Sequence, residues 1–431
     1  MTCNSKEAAG RFVWFLFMGL GLTTFANIHS EESARWPQFR GPTGQGLALD
    51  SHPPKTWDAG KNIRWKTDLP GLGHSSPVIW DNQIWMTTSS LDGKELSLIG
   101  LDRSDGKLLH QIPLFSIGSV VEIHNKNSHA SPTPVVAEGR VYAHFGTNGT
   151  AAVDTSDGTI LWKSEELKIE HSGGPGSSPV LWQDLLIVTC DGADLQYVAA
   201  LECATGKVRW KRARSAPYRP DPITHRAFAT PLLIESEGKP QLISPAADQL
   251  HSYHPATGEE LWHVRYTGFS TVPCPAYTEG TIFMCTGYFG PELAAVKVNG
   301  TGDVTKSHVT WHIKKGTPEN PSPLAHDGRV YVVSDKGIAS CFAGATGKQL
   351  WNRRLGGNFS ASPILAGDHI YYCSEQGETH VLKLDHLKLD FAPKSAQVSR
   401  LPGHIMASPA VIGKTLYIRT NLTLYCIEES P

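Results

Sequence analysis

Short apolar runs alternate with polar residues along most of the chain, and clusters of Gly, Asn and Asp separate the runs. Examples are "VYAHFG" from Val141, "LLIVTC" from Leu185 and "VYVVSD" from Val330. Runs of this length between turn residues are typical of β-strands and lack the 3.6-residue period of helical repeats. The pattern predicts an all-β protein.

A turn glycine followed four residues later by a tryptophan recurs along the chain. The segments end at Trp162, Trp210, Trp262 and Trp351, and a degraded copy places His110 at the tryptophan position. The Thr-Gly-Lys of "ECATGKVRW" belongs to this repeat. A phosphate-binding loop would need the spacing GxxxxGK(S/T) between a strand and a helix, so this segment is interpreted as structural.

A second unit, a small polar residue or Cys followed by Pro and an apolar residue, precedes each glycine turn. Its prolines are Pro77, Pro134, Pro179, Pro231, Pro275, Pro323, Pro363 and Pro409. A turn dipeptide sits four and five residues after seven of these eight prolines, as at Asp81-Asn82. Such dipeptides join antiparallel strands. The unit at Pro231 is the exception, because the longer connection "ESEGKPQ" follows it.

Four strands every 40 to 57 residues, eight times over, is the period of propeller blades. We therefore predict an eight-bladed β-propeller of four-stranded antiparallel blades. About three strands follow Pro409, and a strand centred on Trp65 precedes the first proline unit, so this N-terminal strand should complete the last blade and close the ring. Tryptophans predicted to dock between blades are Trp65, Trp162, Trp210, Trp262, Trp311 and Trp351.

The first residues have the features of a secretory signal peptide. Basic residues precede the apolar run "FVWFLFMGLGL", and small residues lead up to Ala26. The run is too short to span a bilayer comfortably, with an uncleaved anchor as the alternative. We predict a signal peptide at 1–26, an extended N-terminal lead at 27–61 and the propeller at 62–428. The protein should be exported, periplasmic or extracellular, and monomeric, with no transmembrane segment after signal cleavage.

Composition changes this picture little. The chain has 431 residues, 19% of them charged, and a formal net charge of −2, so no global charge indicates nucleic-acid binding. Eight cysteines leave an odd seven after the signal peptide, without an evident disulfide framework. If Glu279-Gly280 is a hairpin turn, Cys274 and Cys285 lie opposite each other across two strands. They are then either a disulfide or two buried thiols.

Polar residues lie near the entrance of the predicted innermost strands, which converge on one mouth of the central channel. The candidates for ligand or partner binding are His74, His129, His171, His225, Arg226, Asn358 and His404. Imidazoles could hold a metal or bind an anionic or carbohydrate group. The mouth of any propeller is also wet and polar, so an ordinary solvated rim is the alternative.

The segment "KVRWKRARSAPYRPDPITHRAF", residues 207–228, concentrates positive charge on an outer strand and the connection to blade 4. The basic residues singled out are Lys211, Arg212, Arg214 and Arg219. Three prolines stiffen the connection, which indicates a defined loop. The segment predicts either a solvated basic face or an anion-binding surface for an acidic glycan, a phosphate-bearing envelope component or a protein.

The unit "ALECATGKVRW", together with "WPQFRGPTGQG" at 36–46 and "GGNFSASP" at 356–363, resembles the tryptophan-docking repeat of the secreted pyrroloquinoline quinone (PQQ)-like propellers. The resemblance covers nearly everything after the signal peptide. That superfamily includes quinoprotein alcohol dehydrogenases and the propeller lipoprotein of outer-membrane protein assembly. Its dehydrogenases use adjacent cysteines, calcium ligands and an Asp base. Here no two cysteines are adjacent, no CxxCH occurs, and no Cys suited to lipid attachment follows the apolar run.

These observations favour a non-catalytic exported propeller that presents its loop face to a protein or cell-envelope partner. No catalytic residue, metal ligand or cofactor is predicted, and PQQ with calcium would be possible but has no support in the sequence. The alternative is an enzyme with its site at the channel mouth, either a quinoprotein-type oxidoreductase or an enzyme acting on a glycan.

Overall fold

The computed structural model describes residues 35–384 and 396–429. They form eight mainly four-stranded sheets arranged as propeller blades, which confirms the predicted fold class. The first strands of neighbouring blades contact one another around a central channel. Within the described ranges, no helix is long and apolar enough to cross a membrane. The predicted signal peptide lies outside the described residues.

The strands of each blade follow one another outward from the channel. Blade 1 contains Val78–Trp80, Gln83–Ser89, Glu95–Asp102 and Leu108–Ser116; blade 2 Val135–Ala137, Arg140–His144, Thr150–Asp154 and Ile160–Ser164; blade 3 Val180–Trp182, Leu185–Asp191, Gln196–Glu202 and Val208–Ala213; blade 4 Leu232–Ser236, Lys239–Pro245, Gln249–Tyr253 and Glu260–Arg265. Blade 5 contains Ala276–Thr278, Thr281–Cys285, Leu293–Lys297 and Val309–Ile313; blade 6 Leu324–His326, Arg329–Val333, Ile338–Ala343 and Gln349–Arg354; blade 7 Ile364–Ala366, His369–Cys373, Glu378–Lys383 and Gln397–Arg400. Blade 8 contains Ala410–Ile412, Thr415–Arg419, Thr423–Ile427 and, outermost, Ile63–Asp68.

Three short strands and three short helices complete the secondary structure of the described residues. The strands Arg35–Trp36, Leu47–Ala48 and Gly302–Asp303 pair with the edges of blades 1, 7 and 4, and the helices are Gly146–Asn148, Pro222–His225 and Thr305–His308. Because the strands of a blade alternate in direction, the connections entering each blade and the loops between second and third strands share one face. We call this the loop face, and the opposite one, which carries the tight hairpins, the turn face.

Two-residue turns join the first and second strands of the blades. Seven occupy the predicted dipeptides, as the pairing of Val78–Trp80 with Gln83–Ser89 shows. In blade 4 the prediction of a longer connection was wrong. There the first strand runs two residues further and ends in the same kind of turn at Glu237-Gly238. Glu237 has φ 52°, as the hairpin turns that match strand twist require.

The two ends of the chain meet in blade 8, as predicted. Ile63–Asp68 pairs antiparallel with Thr423–Ile427, and the Thr423 hydroxyl donates a hydrogen bond to the Asp68 carboxylate at 3.0 Å. This pairing closes the ring and leaves blade 8 with the same four strands as the others. The two ends of the chain therefore leave no unpaired strand where they meet.

Outer-strand tryptophans dock on the glycine turn of the next blade. The Trp162 indole covers Gly206 and donates to the Cys203 carbonyl at 2.9 Å. Three more tryptophans repeat this arrangement, each donating to the carbonyl three residues before the covered glycine: Trp65 with Gly106, Trp210 with Gly258 and Trp311 with Gly347. A Cβ on Gly206 would lie 2.4 Å from the indole, so the close approach requires glycine there.

One predicted docking position, Trp262, differs from this arrangement. The Trp262 indole donates to Gln241 of its own blade at 2.9 Å. The turn of blade 5 cannot receive it, because Gly302–Asp303 instead pairs in parallel with the outer strand that carries Trp262. The docking of Trp351 stays a prediction, because residues 385–395 of blade 7 lie outside the described part of the chain. In blade 1, His110 takes the tryptophan position against Gly158.

A belt of small polar side chains lines the channel. Its members are the residues immediately before the eight repeat prolines: Ser76, Thr133, Ser178, Thr230, Cys274, Ser322, Ser362 and Ser408. At six of the junctions the backbone N–H of one member donates to the hydroxyl of the member in the next blade, at 2.9 to 3.0 Å. All are buried. We call this set the hydroxyl belt, and it explains why a small polar residue precedes each proline.

The described part of the predicted lead, from residue 35 onward, enters the channel from the turn face. Arg35–Trp36 pairs with the first strand of blade 1, and Leu47–Ala48 pairs with that of blade 7. Between them, the Pro37 carbonyl accepts from blade 2, and Gln45 accepts from the Tyr277 backbone of blade 5. The lead thus contacts first strands around the channel rather than extending away from the ring.

The described cysteines are free thiols, and all seven are buried. Cys274 and Cys285 therefore correspond to the second of the two interpretations given above. Burial raises the pKa of the Cys274 thiol to about 11 and holds that of Cys285 well above its usual range. Both are neutral at physiological pH and pack as small apolar side chains.

Candidate functional site

A long-range ion pair lies at the channel mouth on the loop face. Lys126, in the connection entering blade 2, contacts Glu375 of blade 7, with 2.9 Å between Nζ and Oε1. Ser360 donates to the same carboxylate oxygen at 2.6 Å, and the His404 ring Nδ1 lies 3.0 Å from the Glu375 carbonyl. The connection that carries Lys126 therefore links blade 7 to blade 2 above the channel.

His74 lies beside this ion pair. Burial and the nearby Arg419 guanidinium lower the pKa of His74 to about 4, although a hydrogen bond with the Lys126 backbone opposes the shift. The imidazole is therefore neutral near pH 7. Arg419 is itself buried and donates from Nη1 to Ser75 and to the Thr87 carbonyl. The mouth thus combines the neutral His74 imidazole with the cationic groups of Lys126 and Arg419 and the carboxylate of Glu375, and Glu319 lies within electrostatic reach of Lys126.

The other predicted histidines lie elsewhere. His129 packs against Gly93 of blade 1, and His171 packs against Gly146 of blade 2. His225 folds back onto its own connection, where its Nε2 lies 2.7 Å from the Arg219 carbonyl. In the part of the chain that the structure describes, no group of three or more His, Cys, Asp or Glu side chains is arranged to hold a metal. The predicted histidine rim is thus divided into separate local contacts.

Two further candidates are held by local hydrogen bonds. Arg226 donates from Nη1 to the Ser172 carbonyl and hydroxyl at 2.8 and 2.9 Å, which ties blade 4's connection to blade 3's. The backbone of Asn358 is tied to the loop of Glu375, since its carbonyl accepts from the Glu375 N–H at 2.8 Å. Of the seven predicted positions, Asn358 and His404 contact the backbone of Glu375 and His74 contacts the backbone of Lys126, whereas the remaining four lie in other local contacts.

The basic segment does not form one cationic surface. Arg214 is a correction, because its side chain is fully buried and pairs in bidentate fashion with Asp191 at 2.9 and 2.7 Å. Arg219 pairs with Asp248. Lys211 lies over the Tyr197 ring at 3.7 Å, and Arg212 donates to the Thr257 carbonyl. Two of the four charges are therefore compensated by carboxylates, whereas Lys211 and Arg212 are exposed and contact uncharged groups.

An exposed aromatic group lies on the loop face at blades 4 and 5. Phe269 contacts Tyr288 and Phe289, with ring centroids 5.9 and 5.8 Å away. Tyr288 is 48% exposed and Phe289 75% exposed. Phe289 has φ 68°, an uncommon conformation for a bulky residue. We call these three residues the aromatic patch.

The backbone holds the aromatic patch in place. The Tyr288 N–H donates to the Phe269 carbonyl at 2.8 Å, and the Ser270 N–H donates to the Arg226 carbonyl at 2.7 Å. The Arg219 guanidinium lies 5.7 Å from the Phe269 ring centroid. These contacts present two large apolar rings to solvent in a fixed arrangement, which is typical of an interaction surface.

Neutral buried histidines in blade 2 and in the connection that follows it predict a loss of stability in mild acid. Burial lowers the pKa of His144 to about 3 and that of His171 to about 4, against ~6.5 in an unfolded chain. Between about pH 6.5 and 4 the unfolded chain binds protons that the folded one excludes, so stability present above pH 6.5 falls as the pH drops. Each histidine contributes a slope of up to about 1.4 kcal/mol per pH unit.

Urea unfolding at about pH 7.5, 6 and 5 measures this slope. The Thr150 hydroxyl lies 2.8 Å from the His144 ring, and His144→Gln keeps a polar partner for it. This variant should reduce the slope of the free energy of unfolding against pH by the contribution of about one proton. A control without a titratable group, Leu161→Ser on the exposed side of the same blade, should leave the slope unchanged. If His144→Gln and the natural protein had equal slopes, the pH dependence would not come from His144.

The PQQ-like propeller is defined by three features described above: the repeat, the closure of the ring and the docking tryptophans. The chain belongs to the family described as outer membrane protein assembly factor BamB, whose model matches residues 116–242 and 246–421. This confirms the predicted superfamily. No curated protein is similar enough in sequence to count as a relative.

Several solved structures share the fold. BamB from Moraxella catarrhalis is 15% identical, with TM-score 0.56 over 84% of this chain and 98% of that one. A europium-containing methanol dehydrogenase is 9% identical, with TM-score 0.66 over 92% and 98%. Quinohemoprotein alcohol dehydrogenase from Comamonas testosteroni is 10% identical, with TM-score 0.63 over 92% and 80%. At these identities the likeness shows the fold alone.

The channel mouth does not fit PQQ with calcium. Calcium prefers several oxygen ligands, but Glu375 is already bound by Lys126 and Ser360. Asp335, near Glu319, accepts hydrogen bonds from the Glu319 N–H and the Asn320 amide. The cysteines are separated in sequence, so none can form the adjacent pair that the resemblance implies. No chemical step through such a cofactor is derived.

Several of these features carried no clear sequence signal. Lys126 and Glu375 lie in irregular connections 249 residues apart, and nothing local marks either as part of a pair. The aromatic patch did have a signal, because "TGYFGPE" places two aromatic residues inside a glycine-bounded loop. The hydroxyl belt was visible as a repeat, but its hydrogen-bonding role depends on how blades meet.

Proposed function

We propose that this protein is an exported, non-catalytic scaffold that binds a protein partner of the cell envelope through its loop face. The aromatic patch carries this proposal. Fixed, exposed aromatic side chains are the residues that most often anchor protein interfaces, because they bury a large area at a small cost in conformational entropy. Membership of a family described as an assembly factor supports a scaffold role.

The charges at the channel mouth support binding over catalysis. Lys126 and Glu375 neutralise each other, and the nearby His74 has a pKa of about 4. A general base working near neutral pH needs a pKa close to 7. The groups at the mouth therefore stabilise the connection between blades and leave the exposed loops as the recognition surface.

Replacing both exposed rings should abolish partner binding. The double variant Tyr288→Ser with Phe289→Ser removes the two solvent-facing anchors, and we expect at least about a tenfold loss of crosslinking to the partner in intact envelopes. The matched control is Leu161→Ser, which removes a 41% exposed apolar side chain from the outer strand of blade 2. Mass spectrometry of the crosslinked products identifies the partner.

Thermal melting should show that the double variant folds, because both side chains are largely exposed. Equal crosslinking by the double variant and the natural protein would rule out the aromatic patch as the docking surface. Turnover of simple alcohols with an artificial electron acceptor, PQQ and calcium would contradict the non-catalytic part of the proposal.

A further inference from the structure

The innermost strand of blade 4 is longer than its counterparts. Leu232–Ser236 has five residues, whereas the first strand of each other blade has three. The extra residues bring its end to the turn Glu237-Gly238 on the turn face. Its one neighbour in the sheet is Lys239–Pro245, so its other side is an edge that faces the channel.

The lead shows that the inner edge of a blade can accept a further strand. Arg35–Trp36 pairs antiparallel with the first strand of blade 1, and Leu47–Ala48 pairs in parallel with that of blade 7. In blade 7 the Leu365 N–H, two residues after the repeat proline, donates to the Gly46 carbonyl at 2.8 Å. Leu233 holds the same position in blade 4, and no residue in the described ranges accepts a hydrogen bond from its N–H.

Two residues of this strand direct their backbone groups into the channel. Ser236 flanks the two-residue turn and forms a hydrogen-bonded pair with Lys239, and such pairs recur at every second residue. Leu233 and Glu235 alternate with these pairs, and Glu235 lies opposite Pro240, which has no N–H. Their N–H and C=O groups therefore point away from the rest of blade 4. An open edge of this kind is hydrated in the free protein and is a template for a further strand.

A cavity of about 340 Å³ follows this edge. It is lined by residues 231–235 of blade 4, by Val180 and Leu181 of blade 3, by Tyr277 of blade 5 and by the lead. The Tyr277 hydroxyl donates to the Glu235 carbonyl at 3.4 Å, at the turn-face end of the strand. Volumes of ~300–1,000 Å³ are typical of ligand pockets. The open edge therefore lies beside space that the main chain of a partner can enter.

The charges at this end of the channel favour a basic partner. Glu235 lines the cavity and is exposed, and the exposed Glu237 and Glu279 occupy the hairpin turns of blades 4 and 5. Within the described part of the chain, no lysine or arginine forms an ion pair with these three carboxylates, whereas the turn carboxylate Asp184 of blade 3 pairs with Arg209. Carboxylates without a counter-charge attract a segment of opposite charge.

We propose that the channel binds an extended protein segment that adds as a strand to the inner edge of Leu232–Ser236 and carries a lysine or arginine opposite Glu235. Main-chain hydrogen bonds to Leu233 and Glu235 supply affinity, and the alternate side chains of the segment supply specificity. Residues directly opposite each other on paired strands lie on one face of the sheet, about 5 Å apart, so the basic side chain pairs with the Glu235 carboxylate. This second docking site does not depend on the aromatic patch or on the loop-face partner.

Fluorescence anisotropy with a labelled heptapeptide tests the proposal on the natural protein. The probe has valine and threonine residues around a central lysine, and a control peptide has glutamate at that position. We expect the lysine peptide to bind about tenfold more tightly than the glutamate peptide. N-methylation of the internal amides removes the backbone donors of the lysine peptide and should abolish its binding. No binding of the lysine peptide, or equal binding of its N-methylated form, would overturn the proposal.

Two charge reversals locate the site. Glu235→Lys reverses the charge beside the cavity and should make the glutamate peptide the tighter ligand. The control is Glu259→Lys, which makes the same change on the glycine turn of the same blade and should leave the preference for lysine unchanged. Both side chains are exposed, so both variants should fold. A preference for lysine that persists in Glu235→Lys, or that reverses in Glu259→Lys, would contradict the assignment to this edge.

Discussion

Trp210→Ala is expected to lower the free energy of unfolding by about 3–5 kcal/mol. The indole is 8% exposed, covers Gly258 of the next blade and donates to the Pro255 carbonyl at 3.2 Å. The substitution leaves a cavity between blades 3 and 4 and a buried carbonyl without its donor. Urea denaturation followed by tryptophan fluorescence and circular dichroism measures the loss.

A second substitution isolates the docking contact. In Gly258→Ala the new Cβ would lie 2.6 Å from the Trp210 ring, so this change should cost more in the natural protein than in a Trp210→Ala background. Trp80→Ala is the control, because Trp80 is only partly buried and covers no turn glycine; it should cost less than half as much. Strictly additive effects of Gly258→Ala and Trp210→Ala would contradict interblade docking.

Asp191→Ala should destabilise the protein by about 3–5 kcal/mol, because it leaves the buried Arg214 guanidinium without its carboxylate. The surface pair of Arg209 and Asp184, with 3.7 Å between Nη2 and Oδ2, provides the control. Asp184→Ala should change stability by less than about 1 kcal/mol. Chemical denaturation of both variants gives the comparison.

The double variant Asp191→Leu with Arg214→Met separates a missing charge partner from lost packing. Removing both charges should recover most of the stability lost in Asp191→Ala, since an apolar pair of similar volume can replace a buried ion pair. A double variant that is less stable than Asp191→Ala would show that the polar contacts, including that of Arg214 with Ser244, matter more than charge compensation.

The repeat made the architecture predictable from sequence because its signals are local. A turn dipeptide such as Asp81-Asn82 specifies a hairpin by its own backbone preferences, and the Gly-to-Trp spacing specifies the outer strand. The prediction of the turn failed in blade 4, where the same kind of turn forms at a later position in the sequence. After Pro231 the strand simply continues for two residues before Glu237-Gly238 makes the usual turn.

The site was less predictable, because its contacts join distant parts of the chain. Arg214 looked like one member of a basic run, and only the packing of blade 3 against blade 4 shows that it is buried against Asp191. The role of the lead was hidden for the same reason. Nothing in the sequence of the lead indicates that the segment enters the channel, since its partners are contributed by blades 1, 2, 5 and 7.

The pairing of Ile63–Asp68 with Thr423–Ile427 also constrains the order in which the molecule can be completed. The first of these strands is synthesised well before its partner, because Asp68 and Thr423 are 355 residues apart along the chain. Until then, the edge of Ile63–Asp68 has no native neighbour and is open to wrong pairing, with other chains included. Long-range closure of this kind is slow, so factors that shield newly made chains should matter most for this strand.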